Sequence, residues 1–133
     1  MKDRFDLTRG WLLKANSDIL TAQRMLEEDG PYDTACFHTQ QAVEKYLKSL
    51  FAFLGEPIPR THNLEELQQV SITLIPTLPL ADLNLAELTP YTVELRYDFE
   101  FWPSYEVAVQ ALNVAEQVRQ LIVDFLPPDV LTR

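Results

Sequence analysis

The sequence predicts an all-α protein, an up-and-down antiparallel bundle of four to five helices. Apolar residues recur at three- and four-residue steps along nearly the whole chain, which is the period of one face of an α-helix. Glycines and prolines interrupt this pattern, and short loops at these points would make successive helices antiparallel. With 133 residues, the chain has the length of one domain, 1–133, which can bury a core without disulfides or metal.

The first helix is predicted from an apolar stripe that starts at Trp11 and continues to Leu26. It should end in the segment EEDGPYD, where Gly30 suits a helix stop. Pro31 then suits the first turn of the next helix, because its fixed φ is already helical.

The second helix is expected from about Pro31 to Leu54, with Gly55 as its C-terminal stop. The segment GEPIPRTHN follows it. Pro57 and Pro59 exclude a regular helix there, so this segment is expected to be a loop.

A short third helix is predicted at NLEELQQV, because Asn63 and Glu66 have the spacing of a capping box. The segment SITLIPTLPLADLNL is harder to interpret, since Pro76 and Pro79 interrupt a run of apolar and β-branched residues. We expect a helix end, a loop and one further turn there, with a strand as the alternative.

Two more helices complete the predicted bundle. Thr89 and Pro90 suit the cap and first position of a fourth helix in LTPYTVELRY, which Pro103 would end. Ser104 is expected to cap a long fifth helix, which the proline pair at 127–128 would stop.

Composition argues against several classes of protein. The net charge of −9 counts against non-specific binding to nucleic acid. Cys36 is the only cysteine, which excludes a disulfide framework within the chain and a cysteine-rich zinc site. The N-terminal segment lacks the apolar core of a signal peptide, and no apolar stretch is long enough for a membrane span. We expect a cytoplasmic protein with no cofactor and no metal.

Three motifs in order resemble the HEPN domain family of prokaryotic helical domains that are associated with nucleotidyltransferases. The first is the helix ACFHTQQAVEKYLKSLFAFLG, with its Gln-Gln-Ala and Glu-Lys steps. The second is THNLEEL, which resembles the family's short helix after the loop. The third is YTVELRY, which resembles its Tyr-x-x-x-Arg-Tyr segment.

The resemblance implies an antiparallel bundle that is usually paired into a homodimer. Members often act beside a small nucleotidyltransferase, either as its partner or as the toxin that it neutralises. Many toxin members are metal-independent ribonucleases, and their motif is an arginine, four to six residues, and then a histidine.

Arg96 takes the place of the motif arginine, but the motif histidine is absent, and Phe101 stands in its range. Arginine can stabilise a charged phosphate but is a poor base, because it stays protonated. The alternative is that Arg96 forms a structural ion pair with Glu94, Asp98 or Glu100, and we favour this alternative.

The two histidines have open roles. His38 could face the same cleft as Arg96 and replace the missing base, as could the carboxylate of Asp98. A hydrogen-bonded interior or interface role is the commoner one for such a histidine. His62 directly precedes the predicted cap of the third helix, so a local turn or capping role is expected.

Polar residues of the second helix form a candidate ligand site. Gln41, Lys45 and Lys48 share one face by their spacing and, with Tyr97, could bind a nucleotide or RNA. A dimer interface is our first interpretation of this face. A solvated face with a Glu44–Lys48 ion pair is the second.

The sequence therefore favours a binding module that is a homodimer and the partner of a minimal nucleotidyltransferase in a toxin–antitoxin-like pair. The aromatic residues around YDFEFW suit a partner surface better than a base-stacking cleft, because carboxylates lie between the rings. The alternatives are a divergent ribonuclease that uses Arg96 with a base outside the motif, and a scaffold dimer without a ligand.

Overall fold

The computed structural model describes residues 2–91 and 97–132, and these two ranges contain helices and turns but no strand. The helices are α1 (Arg4–Glu27), α2 (Tyr32–Leu54), α3 (Leu64–Leu74), α4 (Tyr105–Phe125) and α5 (Pro128–Thr132). Two 3₁₀ turns lie between α3 and α4, at Leu85–Glu87 and Thr89–Tyr91. The all-α prediction is confirmed, and the alternative of a strand after α3 is wrong.

Local signals set the ends of α1 and α2 close to the predicted positions. The Gly30 N–H donates to the Met25 carbonyl at 2.7 Å, which closes the end of α1. Pro31 lies one residue before the first helical residue of α2, where it acts as the N-cap rather than as part of the first turn. Gly55 ends α2 with φ of 70°, in the left-handed region that glycine adopts without strain.

The predicted cap of α3 is confirmed, but the second hydrogen bond of a capping box, which the Glu66 side chain would accept from the Asn63 N–H, is replaced by another. Asn63 Oδ1 accepts hydrogen bonds from the N–H groups of Glu65 and Glu66, at 2.9 and 3.2 Å. The Asn63 N–H donates to the hydroxyl of Thr61 at 3.0 Å, where the capping box would use the Glu66 side chain.

The region before α4 departs from the prediction. Thr89 lies inside a 3₁₀ turn, and its hydroxyl accepts from the Leu64 N–H at the start of α3, at 3.3 Å. Residues 92–96 of the predicted fourth helix lie outside the described residues, and residues 97–102, which the prediction would have made helical as far as Pro103, form a turn instead. Ser104 caps α4 as expected, accepting from the Val107 N–H at 3.2 Å. The pair at 127–128 ends α4, but Pro128 also begins α5, which the sequence did not indicate.

Helix α2 lies at the centre of the bundle, where it contacts α1, α3 and α4. Four of its large apolar side chains are fully buried: Tyr46, Leu47, Leu50 and Phe51. At its C-terminal end, the ring of Phe53 stacks on Phe5 of α1 at 5.8 Å and meets Phe125 of α4 at 6.0 Å. The start of α1 and the end of α4 therefore lie at one end of the bundle.

The opposite end of the bundle holds the start of α2 and the start of α4. There, the rings of Tyr32 and Tyr105 meet edge to face at 5.8 Å. The segment 97–104 leads directly into Tyr105, so it belongs to this end. This separation of the two ends determines which surface residues can act together.

Candidate functional site

A polar cluster of one buried carboxylate and two partly buried side chains joins α1 to α2. Asp18 of α1 is 8% exposed, and its Oδ1 lies 2.8 Å from His38 Nδ1. Its Oδ2 accepts from Lys45 Nζ at 2.5 Å. His38 and Lys45 are two helical turns apart on α2, so one carboxylate on the facing helix reaches both. We call this group the Asp18 cluster.

The geometry of the Asp18 cluster determines which imidazole nitrogen could act in proton transfer. Since a carboxylate only accepts, the hydrogen of the His38 ring lies on Nδ1, and Nε2 is the basic nitrogen. Lys45 donates to the other oxygen of the same carboxylate, so Asp18 interacts with two donors at once. The cluster combines a positioned base with a nearby cation, and it is equally able to lock α1 onto α2.

Asp18 is the member of this cluster that the sequence analysis missed. Its signal was present, because Asp18 lies within the apolar stripe between Ala15 and Ile19, where a charge would face the core. His38 is hydrogen-bonded at the helix contact, as the commoner of its two predicted roles requires. Its role as a base stays a prediction.

A second polar cluster lies between α2 and the loop before α3, with its ion pair nearly removed from solvent. Glu44 and Lys48 are 4% and 6% exposed and lie 3.1 Å apart. His62 Nδ1 lies 3.0 and 3.1 Å from the two Glu44 carboxylate oxygens. Lys48 Nζ also lies over the ring of Trp11, 5.9 Å from its centroid. We call this group the Glu44 cluster.

The Glu44 cluster corrects two expectations. The Glu44–Lys48 pair exists, but it is buried, because α1, α3 and α4 surround α2 and leave little of it solvated. His62 does not serve a local turn through its ring, which instead reaches a carboxylate 18 positions earlier in the chain.

The predicted ligand group on α2 is divided between the two clusters. Lys45 bonds to Asp18, whereas Lys48 is buried against Glu44. Gln41 Nε2 donates to Gln40 Oε1 at 2.7 Å, beside the Glu44 cluster. A ligand could therefore meet Lys45 and Gln41 at the surface, but Lys48 is nearly covered.

The remaining predicted residues lie on a compact turn, residues 97–102, which we call the aromatic turn. Asp98 builds this turn, because its carbonyl accepts from the Phe101 N–H at 3.1 Å and its Oδ1 from the Glu100 N–H at 3.0 Å. The Trp102 indole N–H donates to the Phe99 carbonyl at 3.0 Å. The described contacts connect neither Asp98 nor Tyr97 to the Asp18 cluster.

Arg96, the predicted catalytic arginine, lies outside the described residues, as does Glu94, one of its expected ion-pair partners. Both the catalytic role and the ion-pair role of Arg96 therefore stay predictions.

Two buried groups are poorly suited to reaction chemistry near neutral pH. Burial, with a smaller contribution from Asp33, raises the pKa of the Cys36 thiol to about 12, so almost no thiolate forms. Burial likewise raises the pKa of Tyr46 to about 12, and its hydroxyl donates to Asn16 Oδ1. Neither group is a candidate nucleophile.

Neither a metal-binding cluster nor a membrane-spanning helix is found in the ranges 2–91 and 97–132. These residues contain no group of three or more histidine, cysteine, aspartate or glutamate side chains that could hold a metal ion. None of the helices described is long and apolar enough to cross a membrane.

Comparison with known proteins identifies one family. The family model of the HEPN domain matches residues 8–126. No curated protein and no solved structure shows a significant match to the chain.

Proposed function

The chain belongs to the HEPN domain family, and from this premise we propose that it is a homodimeric binding module that acts as the partner of a minimal nucleotidyltransferase. The two proteins would form a toxin–antitoxin-like pair in a prokaryotic cytoplasm. A nucleotide or RNA would be a secondary ligand, held near Lys45 and Gln41.

The observation that carries this proposal is the exposure of large apolar side chains on two separate surfaces. On α1, Leu13 and Leu20 share one exposed face by their seven-residue spacing, and on the aromatic turn the exposed rings are Tyr97, Phe99 and Trp102. Exposed apolar patches mark protein interfaces, and aromatic residues are enriched there. Two such surfaces suit a module that binds both a second copy and a different partner.

Charge supports a protein partner over nucleic acid at the aromatic turn. Asp98 and Glu100 lie between its rings, and both are exposed. Base stacking on these rings would bring phosphates close to two carboxylates, which would repel them.

The test is a pull-down of the tagged protein from the lysate of its own host, with the bound proteins identified by mass spectrometry. Recovery of a small nucleotidyltransferase in stoichiometric amount supports the proposal. Leu13→Asp, on the exposed face of α1, should reduce that recovery. Gln117→Asp, on the exposed face of α4, is the matched control and should not.

The Asp18 cluster favours a second candidate function, a divergent metal-independent ribonuclease. Bonding of Nδ1 to Asp18 orients a carboxylate–histidine pair as a general base requires. In this candidate, His38 Nε2 takes the proton of the RNA 2′-hydroxyl, and the 2′-oxygen attacks phosphorus to form a 2′,3′-cyclic phosphate. Arg96 stabilises the charged phosphate while the bond from phosphorus to the 5′-oxygen breaks and that oxygen takes a proton from water.

An RNA cleavage assay distinguishes this candidate. A ribonuclease of this kind should lose activity in Arg96→Ala and in His38→Ala but keep most of it in His62→Ala, which changes the other histidine. Equal residual cleavage by the wild-type protein and all three variants would identify a contaminant and end the ribonuclease hypothesis.

A further inference from the structure

An open pocket lies on the surface of α1, near the end of the bundle where the chain begins. Its volume is about 340 Å³, which is at the lower end of the range for small-molecule sites. Its lining residues are Lys2, Asp6, Leu7, Gly10, Trp11 and Lys14. Among the described residues, neither Lys45 nor Gln41 lines it, so this pocket is separate from the place proposed for a nucleotide or RNA.

Gly10 leaves bare backbone on the surface of the pocket. A Cβ added at Gly10 would meet nothing within 4 Å, and its φ lies outside the left-handed region, so neither packing nor conformation requires glycine there. Glycine inside a helix is nevertheless unfavourable relative to alanine. Because no side chain covers this position, a flat ring can lie directly against the helix backbone.

The indole ring of Trp11 forms the aromatic wall of the pocket. Trp11 is only partly buried, and Lys48 Nζ lies 5.9 Å from the centroid of its ring. Lys48 is itself held by its ion pair with Glu44, so the cation–π contact positions the indole before any ligand binds. A wall that is already in position loses little entropy when a second ring stacks on it.

The charges at the pocket favour an anion. Lys2 and Lys14 are both exposed, and within residues 2–91 and 97–132 neither of them forms an ion pair. The carboxylate of Asp6, which also lines the pocket, pairs with Arg9. In a chain of net charge −9, two unpaired ammonium groups make this surface locally positive.

The spacing of the two lysines favours a singly charged group. Lys14 lies four residues after Gly10 on the same face of α1, a spacing at which a helical side chain leans back over the earlier residue. The start of α1 at Arg4 is about 15 Å from Lys14 along the helix axis, and Lys2 lies beyond that start. The two lysines therefore flank the pocket. A phosphate group has three acceptor oxygens and suits several converging donors, whereas a carboxylate or sulfonate can pair with one ammonium.

We propose that this pocket binds a small planar aromatic molecule that carries one carboxylate or sulfonate group. The ring stacks on Trp11 and lies against the backbone at Gly10, and the anionic group meets the ammonium of Lys14. Lys2 closes the other end of the pocket and adds to its positive charge. This function goes beyond binding to a protein partner, because the ligand is a free small molecule.

The first test is a titration with anilinonaphthalene sulfonate (ANS), a fluorescent aromatic monoanion. The chain contains two tryptophans, so Trp102→Phe leaves Trp11 as the only one. Energy transfer from tryptophan to ANS in this parent protein then reports dye that lies near the pocket, because transfer falls steeply with distance. We expect saturable transfer with one dye bound per chain.

Two variants of the Trp102→Phe parent separate the parts of the pocket. Gly10→Leu fills the space over the backbone and should abolish the saturable transfer. Lys14→Gln should weaken ANS binding about two- to fivefold, which is the range for loss of one exposed ion pair. Lys14→Gln should leave the affinity for phenylnaphthylamine unchanged, because this dye has the same ring system without the sulfonate.

Two matched controls accompany these variants in the same parent protein. Arg24→Gln removes a cation of α1 that does not line the pocket, and Gln117→Leu adds a leucine on the exposed face of α4. Neither should change the affinity for ANS. Thermal melting checks folding, and Gly10→Leu should melt at the same or a higher temperature than the parent, because leucine favours a helix and the space at Gly10 is open.

Competition against ANS identifies the anion that the pocket prefers. Naphthoate, an aromatic carboxylate, should displace the dye. Sodium phosphate should displace it no better than sodium chloride of the same ionic strength, because phosphate lacks the ring. AMP, which joins an aromatic base to a phosphate, should compete less well than naphthoate.

Four results would overturn the proposal. Absence of saturable transfer in the parent protein, or transfer that persists in Gly10→Leu, would show that the pocket does not hold the dye. Equal weakening of both dyes by Lys14→Gln would show that this lysine does not bind the anion. Stronger competition by AMP than by naphthoate would assign the pocket to nucleotides instead. The pull-down that tests the protein partner is unaffected by any of these results.

Discussion

At the scale of single residues, Asp18 shows how one carboxylate can organise two helices. It lies on the core-facing stripe of α1 and accepts from both His38 and Lys45 of α2. Removal of Asp18 would leave two donors of α2 without their shared acceptor. The contribution of each contact is moderate, because His38 and Lys45 are partly exposed and solvent screens their interaction.

A double-mutant cycle measures the coupling between Asp18 and His38. We expect Asp18→Ala and His38→Ala to be non-additive by about 1 kcal/mol in the free energy of unfolding, from urea denaturation. Asp124→Ala, an exposed carboxylate of α4, should show no coupling to His38→Ala. Additive effects of Asp18→Ala and His38→Ala would mean that the 2.8 Å contact contributes nothing to stability.

Cys36 should be inert in the folded protein. Burial raises the pKa of its thiol to about 12, so at pH 8 the thiolate is a very small fraction, and the side chain is fully buried. We expect a thiol reagent such as DTNB to react with the native protein only as fast as the protein opens, and immediately in denaturant. Rapid reaction of the native protein at pH 8 would contradict the burial of Cys36.

At the scale of elements, α2 combines an ordinary helical spacing with unusual burial. Glu44 and Lys48 have the spacing of a surface ion pair, which would contribute a few tenths of a kcal/mol. Both are nearly covered in the bundle, so each depends on the other to offset its desolvation.

Removal of one partner of this pair should therefore be severe. We expect Glu44→Ala to reduce the free energy of unfolding by roughly 3–5 kcal/mol, because Lys48 would stay buried without its partner. The double variant Glu44→Leu/Lys48→Met should recover most of this loss, measured by urea denaturation. If Glu44→Ala reduces the free energy of unfolding no more than a surface substitution does, the Glu44–Lys48 pair is exposed to solvent rather than buried.

The cap of α3 gives a second prediction at this scale. Asn63→Ala removes the acceptor of the Glu65 and Glu66 N–H groups and should destabilise the protein by about 1 kcal/mol. Asn113→Ala, at an exposed position inside α4, is the control. It should be neutral or slightly stabilising in the same thermal melt, because alanine favours a helix interior. Equal effects of the two variants would show that Asn63 is not a cap.

At the scale of the whole molecule, the stability of the fold depends on the buried core around α2. Leu47 is fully buried among the helices, whereas Leu13 on α1 is 68% exposed. We expect Leu47→Ala to lower the free energy of unfolding by roughly 2–5 kcal/mol. Leu13→Ala, compared in the same denaturation series, should change it little, and a larger effect of Leu13→Ala would place that leucine in a core.

The sequence predicted the elements whose signals are local. The Gly30 and Gly55 stops and the Asn63 and Ser104 caps act within one or two turns of the chain, so their residues are readable without a fold. The family resemblance depended on motifs of the same kind, and the match over residues 8–126 confirms it.

Contacts between helices could not be predicted in this way, because they depend on which faces meet. No local pattern indicates that Asp18 reaches His38, that His62 reaches Glu44, or that Lys45 and Lys48 belong to different clusters. The helical period places a residue on one face of its helix, whereas packing against the neighbouring helices decides whether that face is exposed to solvent. The burial of α2 at the centre of the bundle is therefore a consequence of tertiary structure.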